Sequence, residues 1–424
     1  METVHRLIFS PKTPTAARIL GLYAGLASLA LSGLAVAQPA ESAALSEADV
    51  IRLARERAPA ATLADATDAL AEARARTAGR LANPALGWDR EAVETGPVGT
   101  EDALVATLPI DIAGPLTARS LAAAESAWMR AETSLTRTDA VLNAVLAYYR
   151  VALAERRVEL LSRSVADLDE AARVVARREE IGSASGYDSA RIAVASELGR
   201  SRLAEARGEL ESARARLALM LNMEPGALRV STSLALMSAS DEAALGDRGG
   251  TSRAAVRLAR DAERLAGQAE ERADWAWLPA LELSGGVKHV SDQGGGYGYI
   301  VGVSVDLPIF DRGQALRAEA SAQRSLAQAR SEALVRAIDS DIASARAAFR
   351  SARQELERFE SQTSSQVEQM LTAAHSGYRE GARSIVELVD AQRAQAEVAE
   401  RRLSLLGAAK RAEARLRAAA GDLQ

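Results

Sequence analysis

The chain has no cysteine and only three histidines in 424 residues. Disulfides, thiolate metal sites and an acylated N-terminal cysteine are therefore excluded. His5, His289 and His375 fall in three different kinds of segment and cannot form a ligand cluster within one chain. No cofactor or metal site is expected. Aromatic residues make up only 4% of the chain, so a large aromatic core is excluded. The net charge of −5 shows no excess of basic residues, which argues against a nucleic-acid partner. There is no phosphate-binding loop and no Ser-His-Asp set, so an enzyme has no support. Beyond residue 36 no apolar run is long enough for a transmembrane helix.

What is abundant is alanine, arginine, glutamate and leucine, a long-helix composition. The first residues read as an export signal. Arg6, Lys12 and Arg18 supply the positive region, Ile19 to Val36 the apolar run, and Ala35-Val36-Ala37 a small-x-small cleavage site. The mature protein is expected outside the cytoplasm, and any membrane insertion must use something other than apolar helices.

Ser46-Glu47-Ala48-Asp49 reads as a helix start with Ser46 as cap, and the helical pattern runs to about Gly79 with a break near Pro59. Leu86 to Val93 and Ala103 to Ile110 read as strands around a loop containing Gly96, Pro97 and Gly99. After Pro115 there is neither proline nor glycine until Gly182. Positions 121, 124, 128, 131, 135, 138, 142, 145, 149 and 152 follow a 3-4 spacing and are apolar apart from Thr138, a coiled-coil seam. At 1.5 Å per residue this helix is roughly 100 Å long. Gly182 to Gly186 breaks it, and a helix from about Tyr187 to Met223 can return alongside.

The same order then recurs. A helix spans about Thr251 to Trp277, strands cover Ala280 to Val290 and Tyr297 to Leu307, and a loop holding Gly294, Gly295 and Gly296 joins them. In the last strand Tyr299, Val301, Val303, Val305 and Leu307 alternate with small or polar residues. A second long helix starts near Gly313, with a seam at 335, 338, 342, 345, 349, 352, 356 and 359. It breaks at Gly381 to Ser384, and a return helix runs to about Ala420. Gly114 and Gly313, Gly182 and Gly381, Ser185 and Ser384, and Asp188 and Glu387 all stand 199 residues apart. A unit of helix, strand, strand, helix, turn and helix is present twice. The expected divisions are a signal peptide over 1–37, a first repeat over 38–224, a joint of mixed pattern over 225–250 and a second repeat over 251–424.

Two strands per repeat give four in all, and four strands cannot close into a barrel; open edges cannot sit in lipid. The smallest membrane barrels need about eight. If the strands enter a membrane, several copies must share one barrel. The long hairpins likewise carry too much apolar seam to stand alone. A β-barrel at one end and an α-helical tube at the other, built by several copies, meets both demands.

The chain resembles the TolC-like outer-membrane efflux family from about Leu45 to Leu423. The residues that carry the resemblance are Asn83-Pro84-Ala85-Leu86, Leu278-Pro279-Ala280-Leu281, the run Val305-Asp306-Leu307-Pro308-Ile309-Phe310-Asp311-Arg312-Gly313-Gln314, and Tyr378 to Gln392. The Phe-Asp-Arg-Gly-Gln form and the missing acylated cysteine are most similar to the CzcC-like branch, which handles heavy-metal cations. The resemblance implies a mainly α fold with membrane β-strands. Each chain would add four strands to a shared barrel of twelve in a homotrimer, with coiled-coil hairpins forming a periplasmic α-barrel. It also implies the outer membrane of a Gram-negative bacterium and contact with its lipid. The implied partners are a periplasmic adaptor and an inner-membrane pump of the resistance-nodulation-division type. The function implied is a passive exit duct for heavy-metal cations. A multidrug or type I secretion duct of the same shape stays open, as does, from another class, a periplasmic coiled-coil adaptor or scaffold without a barrel.

Glu387 and Asp390 follow the second hairpin turn three apart, on one face of a helix. In a trimer each makes a ring of three carboxylates, and acidic rings attract cations and constrict. In the family, acidic residues matching these positions line the periplasmic entrance; Asp188 is the first-repeat counterpart of Glu387. The bland alternative is a helix N-terminus whose carboxylates oppose the dipole. Gly182, Ser185, Gly381, Arg383 and Ser384 mark the hairpin tips, where helix reversal is required and adaptor docking is an added expectation. Pro109, Gly114, Pro308, Asp311, Arg312 and Gly313 mark the strand-to-helix junctions, with Asp311 expected as helix cap and Arg312 as its partner or its neighbour's. Trp275 and Trp277 are expected to pack where tunnel meets barrel.

Overall fold

The computed structural model describes residues 44–92, 99–231, 233–247, 254–291 and 295–423. The expected export signal, and the loop residues Gly96, Pro97 and Gly294, lie outside these. Within the described chain Ser46 opens helix α1 (Glu47–Arg57) through a capping box with Asp49. Pro59 sits in the first turn of α2 (Pro59–Thr77), and Ala58 before it is extended, so the helix restarts there. Gly79, at φ +72°, ends that segment.

Strands β1 (Ala85–Ala92) and β2 (Thr100–Ile110) follow, then the long hairpin α3 (Gly114–Glu180) and α4 (Gly186–Leu221). Asn222 closes α4 in the left-handed region. After a short 3₁₀ turn come α5 (Ala239–Asp247) and α6 (Ala254–Asp274). Strands β3 (Leu281–Ser291) and β4 (Gly296–Val305) lead into the second hairpin, α7 (Gln314–Arg379) and α8 (Ile385–Ala419).

Within 225–250, expected as a mixed joint, lies the short helix α5. Ser238 Oγ accepts the Asp241 amide at 3.2 Å, a local start signal that the search for long periodic runs passes over. The helix then docks by Leu245, which joins Phe349 and Leu416 in a buried cluster. Glu242, almost fully buried, is held by Arg350 at 2.5 Å and Arg353 at 3.5 Å.

Helix α3 is the spine, touching α1, α2, α4, α6 and α8. All ten seam positions from 121 to 152 are buried or half-buried. The largest cluster joins Val145, Tyr148 and Tyr149 of α3 to Val50, Leu217, Leu221 and Leu228. The two tyrosines keep their hydroxyls satisfied, Tyr148 donating to Ser231 O at 2.6 Å and Tyr149 to Glu47 Oε2 at 2.5 Å. Burial, with the Glu47 carboxylate beside it, pushes the Tyr149 phenol up, so it stays a donor. Arg417 bonds Glu47 and Asp422, fastening the start of α1 to the far end of the chain. The α7 seam is less complete: Val335 is exposed, against expectation, because α6 and α8, the main flanks of this helix, leave that side of it open.

The four described strands form one antiparallel sheet in the order β1-β2-β3-β4, so the two repeats meet at β2–β3. The register sorts side chains onto two faces. One carries, in successive rows, Ile110–Leu281–Val305, Leu108–Leu283–Val303, Leu86–Ala106–Gly285–Val301 and Trp88–Leu104–Val287–Tyr299. The next row is Arg90–Asp102–His289–Tyr297, where Arg90 and Asp102 form a two-bonded ion pair at 2.8 Å. The opposite face is small or polar over most of its length, including Ala103, Ser284, Gly286, Gly302 and Ser304, with the pair Lys288–Glu101 at 2.9 Å. A Cβ on Gly286 would lie 2.3 Å from the Leu104 carbonyl oxygen, so only glycine allows this approach. The apolar face is uncovered: Tyr299 and Val301 are 84% and 78% exposed.

Candidate functional site: the hairpin tips

The two hairpins turn by the same hydrogen bonds, residue for residue. Ser183 N and Ala184 N both donate to Arg178 O, and Ala382 N and Arg383 N both donate to Gly377 O. Gly182 at φ +72° and Gly381 at φ +76° occupy the left-handed position that closes such a helix end. Both return helices then start on a capping box. Ser185 N donates to Asp188 Oδ2 at 3.0 Å, and Ser384 N to Glu387 Oε2 at 2.8 Å. The reverse bonds, from Asp188 N to Ser185 Oγ and from Glu387 N to Ser384 Oγ, are 3.2 and 3.3 Å.

Asp188 and Glu387 are therefore helix caps first. The Ser384 amide and hydroxyl hold the Glu387 carboxyl below its ordinary range, so it is ionised at neutral pH. Because that pKa is depressed, the cap is intact above the ordinary carboxylate range and weakens as pH falls through the folded value. Arg383 is exposed, but its stem lies over Gly377 and its guanidinium bonds Glu387 at 3.1 Å. Asp390 faces elsewhere: its carboxylate lies 3.6 Å from Arg191 of α4. Glu387 and Asp390 share a helix face by spacing, yet have different neighbours.

Contacts that sequence reading missed tie the tips together. Arg178 of α3 stacks over the Tyr378 ring of α7 at 4.6 Å and donates to Arg379 O at 2.7 Å. Leu168, Val175 and Ile192 of the first hairpin share one buried cluster with Tyr378, Ile385 and Leu388 of the second. Tyr378 was visible as part of a motif. Its arginine partner carried no spacing signal, since the pair joins residues 200 apart.

The strand-to-helix junctions align in sequence but differ in backbone. Pro109 lies within β2, opposite Glu282, whereas Pro308 lies beyond the end of β4. Gly114 is already helical, whereas Gly313 precedes α7 at φ +76°, and a Cβ there would be 2.5 Å from that of Ala276. Asp311 is not the helix cap expected; that position is Gly313, and Asp311 Oδ1 accepts the Gly313 amide at 2.9 Å. Asp111, which sequence reading passed over, does the same work one residue earlier, accepting from Ala113 N at 3.0 Å and Gly114 N at 2.9 Å. No ion pair joins Arg312 to Asp311; its amide bonds Gln314 and its carbonyl accepts from Arg317. Trp275 and Trp277 are 40% and 51% exposed within this chain, not packed.

Among the described residues, no group of three or more histidine or carboxylate side chains is placed to hold a metal ion. No described helix is long and apolar enough to cross a membrane.

Residues 251–422 match the family described as Outer membrane efflux protein. Solved structures share the fold across both repeats. The outer membrane protein VceC of Vibrio cholerae is 19% identical, with 88% of this chain and 96% of that one covered at a TM-score of 0.69. The CmeC outer membrane channel of Campylobacter jejuni is 16% identical, with 88% and 85% covered at 0.71. The MtrE outer membrane channel of Neisseria gonorrhoeae, in its open state, is 19% identical, with 88% of each covered at 0.69. No curated protein sequence is a significant match. The matched family is described as an efflux protein, and the CmeC and MtrE structures are those of outer membrane channels. The second repeat thus carries the efflux-protein pattern, and the chain shares the fold of these outer-membrane channels over both repeats.

Proposed function

We propose that the chain is the passive exit duct of a tripartite exporter, a homotrimer in the outer membrane that docks a periplasmic adaptor and an inner-membrane pump of the resistance-nodulation-division type. The observation that carries this reading is the sheet. Its apolar face runs six residues along the strands from the Ile110 row to the Trp88 row, about 20 Å. Outer-membrane barrels present an apolar band about 25 Å tall with aromatic residues at its borders. Trp88, Tyr297 and Tyr299 stand at one border. Both edge strands lack partners among the described residues, and in lipid each open edge would leave backbone groups unsatisfied at several kcal/mol apiece. Closure by further copies removes that cost.

The narrow end of the tube would be the hairpin tips. There Asp390, with Glu387 and Asp188 on the capping turns, would form acidic rings, and the Arg191–Asp390 and Arg178–Tyr378 contacts would hold the entrance closed until an adaptor reaches the tip turns. The acidic rings and the resemblance to the CzcC-like branch favour heavy-metal cations as cargo. A duct for amphipathic organic solutes is the second reading, favoured by an arginine-lined groove between α3, α4 and α8. Outer-membrane fractionation with planar-bilayer recording tests the assignment. A sedimenting, heat-resistant trimer that conducts is expected; a water-soluble, non-conducting product overturns the duct.

A further inference from the structure

The groove between α4 and α8, floored by α3, is a cavity of about 920 Å³. That is within the size range of small-molecule sites. Its floor is apolar, formed by Leu146, Leu153 and Met220. Five arginines line it against two glutamates, and both glutamates are already taken: Arg157 bonds Glu400 at 2.9 Å and Glu209 at 2.5 Å. The other four, Arg150, Arg216, Arg401 and Arg411, make no hydrogen bond or ion pair among the described residues. Arg411 is drawn down onto the floor, because Gly407 has no side chain. A Cβ there would lie 2.8 Å from Leu153 Cδ1 and 3.3 Å from Arg411 Nη1.

The groove borders the main core: Tyr149 and Ala213 of its lining belong to that cluster, and Leu146 packs against it. Ala144, Tyr148 and Val151 of α3 point into the cluster with α1 and Leu228. Arg150 and Leu153 point roughly the opposite way at about 100° per residue. Free guanidiniums around an apolar floor match a ligand with an anionic head and a hydrocarbon body. Arginine holds carboxylate or phosphate oxygens in two parallel bonds, and the floor removes apolar surface from water.

We propose that this groove is a binding site for an anionic amphiphile, with Arg150, Arg216, Arg401 and Arg411 on the head and Leu146, Leu153 and Met220 under the tail. Neither the tips nor the sheet contributes to it. The site goes beyond the duct reading, and its test needs no conductance.

The full chain is taken up in a non-ionic detergent and titrated with 11-(dansylamino)undecanoic acid, followed by fluorescence. Saturable binding is expected that dodecyl phosphate displaces and dodecyltrimethylammonium does not. Raising the salt concentration should weaken it. Arg216→Ser with Arg411→Ser should weaken the probe at least tenfold, and Arg130→Ser with Arg260→Ser, away from the groove, should not. Equal displacement by the cationic amphiphile, insensitivity to salt, or equal binding by the two double variants overturns the proposal. If the groove variant fails to fold, Arg150→Ser alone and the salt titration of the unaltered chain decide it. A product that binds the probe but does not conduct strikes the duct reading and leaves this one standing.

Discussion

Helices α3 and α7 occupy the same place in the two repeats and are nearly equal in length, 67 and 66 residues. Their surroundings differ. α3 is wrapped by five other helices and supplies both large tyrosines of the main core. α7 touches α6 and α8 along its length, α5 at Phe349 and Arg350 and α3 at Tyr378, and buries only Ala320, Phe349, Leu356, Ala374 and Tyr378. Leu316, Leu326 and Val335 remain between 48% and 52% exposed along it. The difference teaches that a duplicated sequence has been divided between two jobs. One copy of the helix organises its own chain, and the other keeps an apolar stripe for something outside it, which in the proposed assembly is the neighbouring subunit.

The largest expected effect contrasts a charge placed in each helix. Val145 is fully buried. Val145→Asp strands an unpaired carboxylate there, at several kcal/mol, and should leave no folded chain by circular dichroism and protease resistance. Val335→Asp should keep the helical signal and shift the trimer to monomer in light scattering. An intact trimer would mean that α7 is not an assembly face. Next is the contrast at the tips. Asp390→Ala should give a leakier, less cation-selective pore in single-channel recordings, and Asp188→Ala a smaller change, because Asp188 is spent on its cap. Equal effects would remove the distinction between ring and cap. The turns should behave alike: Gly182→Ala and Gly381→Ala each force a side chain into the left-handed region, at about 1–2 kcal/mol. Thermal unfolding that differed between them by more than this would show that one tip carries load the other does not. Smallest, Ser185→Ala and Ser384→Ala should each cost about 1 kcal/mol, read by the same melts.

Much of the fold was legible because its signals are local and repeated. The proline and glycine breaks placed the long helices to within a few residues, and strict alternation from Tyr299 to Val305 placed β4. The 199-residue offset located both tips, where Gly182 and Gly381 turn out to share a backbone angle as well as a register. What stayed hidden depends on pairing across distance. Alternation alone gave no sign that β2 meets β3, nor that Arg178 stacks on Tyr378. Asp111 was overlooked because it stands three residues before its glycine, while Asp311 stands two before. The short helix α5 has no long periodicity, and only its cap and its docking residue Leu245 make it.

The close approach at Gly286, together with Gly302, Ser284 and Ser304 on the same face, has one more consequence. In a closed cylinder that presents its apolar side to lipid, these residues line a thin inner wall with little bulk to stop it up. Solute arriving at that mouth would meet no door. Control over what leaves the cell would then sit wholly at the opposite extremity, and any loss of grip there would be felt as an open hole in the envelope.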